Sequence, residues 1–133
     1  MDERRWSWWR RALALVLLAA LGTAIHSREL IAAALTFNPV PATAESLERG
    51  ARQWTLTCAP CHGPQAHGDG PLADSLPRRP KDLSRMAAPP VLPDGIIAYR
   101  IANGRNGMPA WKSVIGPDET WDLVNFIRAQ KRP

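Results

Sequence analysis

The chain has 133 residues, with 17 Lys and Arg against 12 Asp and Glu, thirteen prolines, six tryptophans and two cysteines. That length holds one domain and not comfortably two, and prolines without a long Pro/Ser/Gln tract fit a compact fold of helices joined by rigid loops, which argues against a disordered chain. The formal charge of +5 is unevenly spread: residues 1–37 place five arginines against Asp2, Glu3 and Glu29, and residues 38–133 place twelve Lys and Arg against nine Asp and Glu, so the body of the chain is too mildly basic to suggest nucleic acid as a partner.

The N-terminus, "MDERRWSWWRRALALVLLAALGTAI", is an arginine-bearing start followed by the apolar run Ala12–Ile25, which His26, Ser27, Arg28 and Glu29 interrupt. Fourteen helical residues reach ~21 Å, short of a ~30 Å hydrocarbon core, which fits an export signal with Gly22-Thr23-Ala24 as its cleavage site. An uncleaved membrane anchor is the second reading, with Trp6, Trp8 and Trp9 at the interface and Leu30–Phe37 as a further tether, so that residues 6–37 associate with the membrane. Both readings place the rest of the chain outside the cytoplasm, on the periplasmic side of a bacterial inner membrane. Arg4-Arg5 and Arg10-Arg11 read as ordinary positive charge ahead of an apolar run. Residues 1–37 are thus a signal peptide or anchor.

Residues 38–42 read as a linker, extended by Pro39 and Pro41, and residues 43–133 as the exported domain. Thr43 can cap a helix running to about Cys58, with Glu45 in its first turn. Leu47, Gly50, Ala51 and Trp54 fall on one face, and a glycine on such a face suggests a close helix crossing. Residues 63–93 form a long Gly/Pro-rich loop with one short helical turn, and so long a loop normally wraps something. Asp94 is expected to cap a short helix ending at Asn103-Gly104, with Ile96, Ile97, Tyr99 and Ile101 apolar. Gly116-Pro117 opens the last helix, where Trp121, Leu123, Val124, Phe126 and Ile127 take helical spacing and Arg128, Lys131 and Arg132 favour the C-terminal end. No segment alternates like a strand. The exported domain is all-α, with few apolar residues for a self-sufficient core.

Both cysteines lie in "CAPCH", residues 58–62. A disulfide between Cys58 and Cys61 is one use of such a pair in an exported chain, although a thiol-disulfide enzyme would place it at a helix start after a strand. A closed zinc site would need a fourth ligand beyond Cys58, Cys61 and His62, for which His26 and His67 are the candidates. Cu(I) held by the thiolates with Met86 or Met108 is a further chemistry. Covalent haem attachment explains more: cysteines three apart lie on adjacent corners of one helical turn and reach the two vinyl groups of one haem, and the next residue, His62, swings its imidazole beneath the iron.

A sixth ligand would come from the far side of the ring. Met108 stands in "NGMPAW", an irregular loop framed by Gly107 and Pro109, whereas a core methionine usually lies on a helix stripe. Met86 lacks such a frame, and His67 is too near His62 in sequence to cross the ring. With both axial positions filled there is no open site for oxygen or peroxide, so electron transfer rather than turnover is expected, and the chain is read as a non-enzyme. Arg78, Arg79, Lys81, Arg85, Arg105 and Lys112 lie in the loops that would ring the haem, either as steering charges for acidic partners or as a solvated surface. Trp111 reads as packing on the haem.

Over about residues 43–130 the chain resembles a class I monohaem cytochrome c of the short bacterial type. Gly50 and Trp54, eight and four residues before Cys58, match the glycine and aromatic of that family's first helix, and Phe126 with Trp121 and Leu123 match the last helix that packs across them; "CHGPQAHGDGPLA" and "GMPAW" are similar too. The resemblance implies a cytochrome c-like fold, Cys58 and Cys61 as thioether attachments, His62 as proximal ligand and Met108 as distal ligand. It also implies Pro80 as the carbonyl that accepts the His62 Nδ1–H bond, although "PKDL" departs from the family's commonest spacing. Electron transfer with the redox proteins of a respiratory or other membrane complex is the implied function. A haem sensor or catalytic subunit, and an exported copper- or thiol-binding protein, are the other classes.

Overall fold

The computed structural model describes residues 3–87 and 92–131, with side chains from residue 8 onward. The side chain of Trp6 and all of Arg132 lie outside the described residues. Two units are distinct, residues 1–32 and 33–133.

The first unit is most of helix α1 (Glu3–Ala34). Its leucines, among them Leu13, Leu15, Leu17, Leu18 and Leu21, are exposed all round the helix. The helix continues through His26–Glu29, the polar residues that interrupt the apolar run. Thr23 Oγ1 and Ser27 Oγ donate to the Ala20 and Thr23 carbonyls at 2.8 Å each, so these hydroxyls are satisfied without unwinding the backbone. Trp8–Ala34 is therefore one helix of 27 residues, long and apolar enough to cross a membrane by length and composition.

The second unit contains no strand among the described residues. Its elements are α2 (Ala44–Thr57), the one-turn α3 (Ala59–His62), a 3-10 turn (Ala73–Ser75), the one-turn α4 (Leu83–Met86), α5 (Asp94–Asn103) and α6 (Pro117–Ala129). Thr43 caps α2 as expected, its Oγ1 accepting from Ser46 N at 3.3 Å. The buried face of α2 is Ser46, Gly50 and Trp54, one residue round from the predicted stripe at its start. Helix α6 crosses α2 at Gly50: a Cβ there would press into the Asp122 carbonyl and stand 2.9 Å from Phe126 Cβ, so only glycine admits this approach. Trp54 packs on Phe126 with ring centroids 5.4 Å apart and is almost fully buried, so truncating it to alanine would cost about 3–5 kcal/mol.

A polar cluster braces the same crossing. Asp122, buried on α6, accepts from Ser46 Oγ (2.6 Å) and from Arg49 Nε (2.6 Å) and Nη2 (2.9 Å). Asn125 Nδ2 donates to Ser46 Oγ (2.9 Å) and the Val40 carbonyl (3.1 Å), while Asn38 Nδ2 donates to Asn125 Oδ1 (2.8 Å) and the Trp121 carbonyl (3.1 Å). Residues 38–41 are thus extended but pinned, and do not behave as a free linker. Gly95 N also bonds the Thr36 carbonyl at 3.2 Å, so the segment from residue 33 onward is built into the helical unit.

Helix α5 buries Ile97 and Ile101 and stops at Gly104 as expected. Asp94 is not its cap. Pro93 holds that position, and the Asp94 carboxylate instead accepts from Arg128 Nε at 2.7 Å, while the same guanidinium donates to the Ala87 carbonyl (2.6 Å) and the Leu92 carbonyl. Charge pairing across the fold outweighs local capping because Arg128 is largely withdrawn from water and needs an anionic partner. Among its described residues, the loop between α3 and α5 holds two short helical turns rather than one.

Candidate haem site

Cys58 ends α2 and opens α3, so the attachment motif sits on a tight backbone corner. Cys58 N donates to the Trp54 carbonyl (2.9 Å), and its own carbonyl accepts from Cys61 N (3.1 Å) and His62 N (2.8 Å). The corner is fixed from below by Trp54, whose Nε1 donates to the Gly63 carbonyl at 2.9 Å and whose ring lies 5.8 Å from the His62 imidazole. The following loop then wraps α3. Gly68 N bonds the His62 carbonyl (2.8 Å) and Leu72 N bonds the Pro60 carbonyl (2.9 Å), which passes Gly70 hard against the motif.

Both thiols are free, so the two cysteines are not joined to each other. Burial pushes the Cys58 thiol up, against a weaker downward pull from its contact with Thr57 Oγ1. Burial also lowers the His62 imidazole, favouring the neutral form that binds a metal. His62 Nδ1 is buried and has no hydrogen-bond partner. The Pro80–His62 bond implied by the family resemblance is therefore not made in this structure: the Pro80 carbonyl lies against Gly68, whose missing side chain lets the loop settle there, and Arg79 Nε donates to the Gly68 carbonyl at 3.3 Å. Of the possible fourth zinc ligands, His26 stands in α1 and His67 lies in the wrap with Nδ1 3.9 Å from Asp69 Oδ2. Among the described residues no three His, Cys, Asp or Glu side chains gather to hold an ion.

Met108 sits in a two-residue turn. Arg105 N donates to the Met108 carbonyl (3.1 Å) and Met108 N to the Arg105 carbonyl (3.0 Å), closing a loop whose central residues, Asn106 and Gly107, have φ of 50° and 95°. Two positive φ values are what a type I′ turn demands, and Asn-Gly is its strongest sequence signal. The turn is stitched to α5 by Trp111 N to the Ile101 carbonyl (3.1 Å) and Lys112 N to the Ala102 carbonyl (3.2 Å). Cys58, half-buried Met108, Trp111 and Met86, the last at the end of α4, all pack on one apolar cluster with Leu83, Ile97 and Ile101. Gly70 and Asn106 are supporting residues that the sequence reading did not single out, and Arg128, read there only as a helix-end charge, supports the fold through Asp94. The Asn-Gly pair was the available signal for one of them.

These residues fit a covalently bound haem: two unpaired thiols on one turn, a buried imidazole that burial keeps in its neutral, metal-binding form, and an apolar cluster carrying two thioethers. An all-α fold built round such a corner defines a monohaem c-type cytochrome. The family described as "Cytochrome C oxidase, cbb3-type, subunit III" matches residues 45–127, and the chain belongs to that family. It is 27% identical to cytochrome c6 of Bumilleriopsis filiformis and 26% identical to cytochrome c6 of Alaria esculenta, in each case over 84 residues that cover 63% of this chain and 91% of the relative. A chain of the Kuenenia stuttgartiensis reducing HAO-like protein complex has a similar fold, with a TM-score of 0.62 and 24% identity over 71% of this chain; this chain spans 47% of that one. The cofactor is haem c, the protein is a haem c electron carrier, and the apolar helix α1 precedes its cytochrome domain.

Proposed function

We propose that the chain is a one-electron carrier with His62 and Met108 as axial ligands, serving a respiratory complex from the periplasmic side of the inner membrane. Haem c supplies a reversible one-electron step. Cys58 and Cys61 hold it as thioethers, and the corner beneath them keeps the His62 imidazole aimed. The observation that carries the distal assignment is the turn at Arg105–Met108, which fixes the Met108 backbone by a pair of hydrogen bonds while its side chain packs on the cluster containing Cys58. Trp111, stitched to α5 beside it, would pack on the ring. Filled axial positions leave no site for a substrate, in keeping with a carrier rather than an enzyme. The family's description supports an oxidase-type membrane complex as the partner.

Methionine opposite histidine raises the potential relative to two nitrogen ligands. Met108→Ala should abolish the far-red absorption of a thioether–ferric pair, lower the potential, and let the ferrous protein bind carbon monoxide at once, while Met86→Ala leaves all three unchanged. The reverse pattern would transfer the distal role to Met86. Immediate carbon monoxide binding by the unaltered protein would favour a sensor, and a colourless protein with free thiols a copper or thiol binder.

We also infer that α1 is retained as an anchor, because its 27 apolar-rich residues reach ~40 Å, more than the ~30 Å core requires. Intact mass of the membrane-extracted protein checks this. Loss of residues 1–24 would show that the helix is a cleaved signal.

A further inference from the structure

We propose that a groove between the end of α1, α5 and the start of α6 binds an anionic phospholipid, with the phosphate on Lys112 and the glycerol and upper acyl chain inside; this rests on the reading of α1 as a retained anchor. The groove has a volume of about 350 Å³, within the range of small-molecule clefts. Gly95, Ala98 and Ala102 line it with small side chains, and Ala33, Tyr99 and Trp121 complete its apolar wall. Local packing explains why it exists. A Cβ on Gly95 would press into the Ala33 carbonyl, and Gly95 N donates to the Thr36 carbonyl at 3.2 Å, so the first turn of α5 lies directly on the last residues of α1. Beyond that contact Ala98 and Ala102 are too short to fill the space beside Trp121, which stays open.

Three observations choose the occupant. The first is depth. Trp8–Ala34 is 27 residues, ~40 Å of helix, which matches the ~40–45 Å of a bilayer counted with its headgroup layers. With Trp8 at one surface, Ala33 falls among the headgroups of the other, and Ala33 is part of the groove. The second is charge. Lys112 lines the groove, is exposed and makes no ion pair among the described residues; its Nζ stands 3.3 Å from the neutral Asn103 Oδ1, and no carboxylate lines the groove. A cation beside an apolar cleft fits a lipid phosphate above its acyl chain, and a lysine at such a surface favours anionic lipid. The third is the surrounding surface. Phe37 stands between Thr36 and Asn38, both held by hydrogen bonds, and is itself 86% exposed, while Tyr99 and Trp121 are of the amphipathic type that collects at membrane surfaces.

The test is native mass spectrometry of the full-length holoprotein released from non-ionic detergent, titrated with phosphatidylglycerol or with phosphatidylcholine carrying the same acyl chains. The expected result is one lipid retained per chain, with phosphatidylglycerol about fivefold the tighter, the preference that one cation at a membrane surface supplies. Lys112→Gln, a change to an exposed side chain, should equalise the two lipids without removing either. Ala98→Leu and Ala102→Leu fill the groove from two positions on α5 and should each weaken both lipids by about tenfold or more at parental haem content. Where a filled variant loses haem, Lys112→Gln decides alone. Retention unchanged in the filled variants would place the lipid elsewhere and overturn the groove, and a phosphatidylglycerol preference that survives Lys112→Gln would overturn the phosphate contact. A dimer mass that the filled variants lose would give the groove to a second copy of the chain and likewise overturn the lipid. The same spectra show whether residues 1–24 are present: their loss removes the anchor reading, whereas a full-length chain that retains neither lipid removes the groove alone.

Discussion

Around Cys58–His62 the chain is packed backbone on backbone, whereas around Met108 it is held by a two-residue turn and a few hydrogen bonds to α5. On the first side, Gly70 lies where a Cβ would stand 2.5 Å from the carbonyl oxygens of both Ala59 and Pro60. On the second, Gly107 has nothing within 4 Å of where its Cβ would be, and its constraint is φ alone. A covalent attachment must be presented in one shape, and close packing provides that. A distal ligand can rest on a segment with weaker support, provided its backbone is already set. The two sides should therefore fail differently when each glycine is filled.

The largest break is expected at Gly70. An added methyl there meets backbone rather than a movable side chain, so either the wrap lifts or α3 shifts, at about 3 kcal/mol. Gly70→Ala should lower the melting temperature on the order of 15 °C and reduce the fraction of chains carrying covalent haem on a haem-stained gel. A variant with parental stability and full haem content would show that the wrap can yield, and the contrast between the two sides would weaken.

The sequence carried some of this support and not the rest, for a physical reason. Gly50 and Trp54 were legible as a stripe because both bury on one face of one helix, and the cysteine–histidine corner because its chemistry fits within five residues. The polar brace was not. Ser46 meets Asp122 across 76 positions and Asn38 meets Asn125 across 87, so in their local contexts these residues read as solvent-facing. Asp94 and Arg128 were each read by helix-end rules, and their pairing overrode the first of those readings. In α1, residues 26–29 interrupt the apolar run without ending the helix, which absorbs the hydroxyls of Thr23 and Ser27 by bonding them to its own carbonyls.

The second break tests that brace, which underlies Trp54 and hence the corner. Asp122→Ala leaves Ser46 Oγ, which also accepts from Asn125, without its acceptor in a buried crossing and should cost about 2 kcal/mol; half-exposed Arg49 keeps its water and adds little. Burial alone would raise the Asp122 carboxyl, but the hydrogen bonds from Arg49 and Ser46 together outweigh it and hold the group below the ordinary range. Its folded pKa being the lower one, Asp122 contributes stability that is complete above the unfolded value near ~4 and is lost as pH falls through the folded value. Denaturant titrations from neutral to strongly acid pH should show this loss in the parent, and Asp122→Asn should show a shallower acid slope. Parallel slopes would mean that other carboxylates govern acid unfolding.

The smallest effect, and the sharpest comparison, is on the distal side. Gly107→Ala adds a methyl group to open space, so packing predicts no change, while a φ of 95° predicts a penalty of about 1 kcal/mol for any ordinary side chain. That penalty falls on the turn that sets Met108, and it can be relieved by letting the turn open. The corner at Cys58–His62 shares no hydrogen bond with this turn, so haem content should be unchanged. Exogenous imidazole should then bind the ferric protein about fivefold more tightly, the equivalent of about 1 kcal/mol. Gly107→Asn should recover most of the loss, because asparagine tolerates positive φ better than alanine. If alanine and asparagine weaken the distal side equally, the cause is bulk and not backbone conformation. If neither changes imidazole binding while Gly70→Ala removes haem, Met108 does not depend on its turn, and the distal segment is held by its packing on the cluster with Trp111.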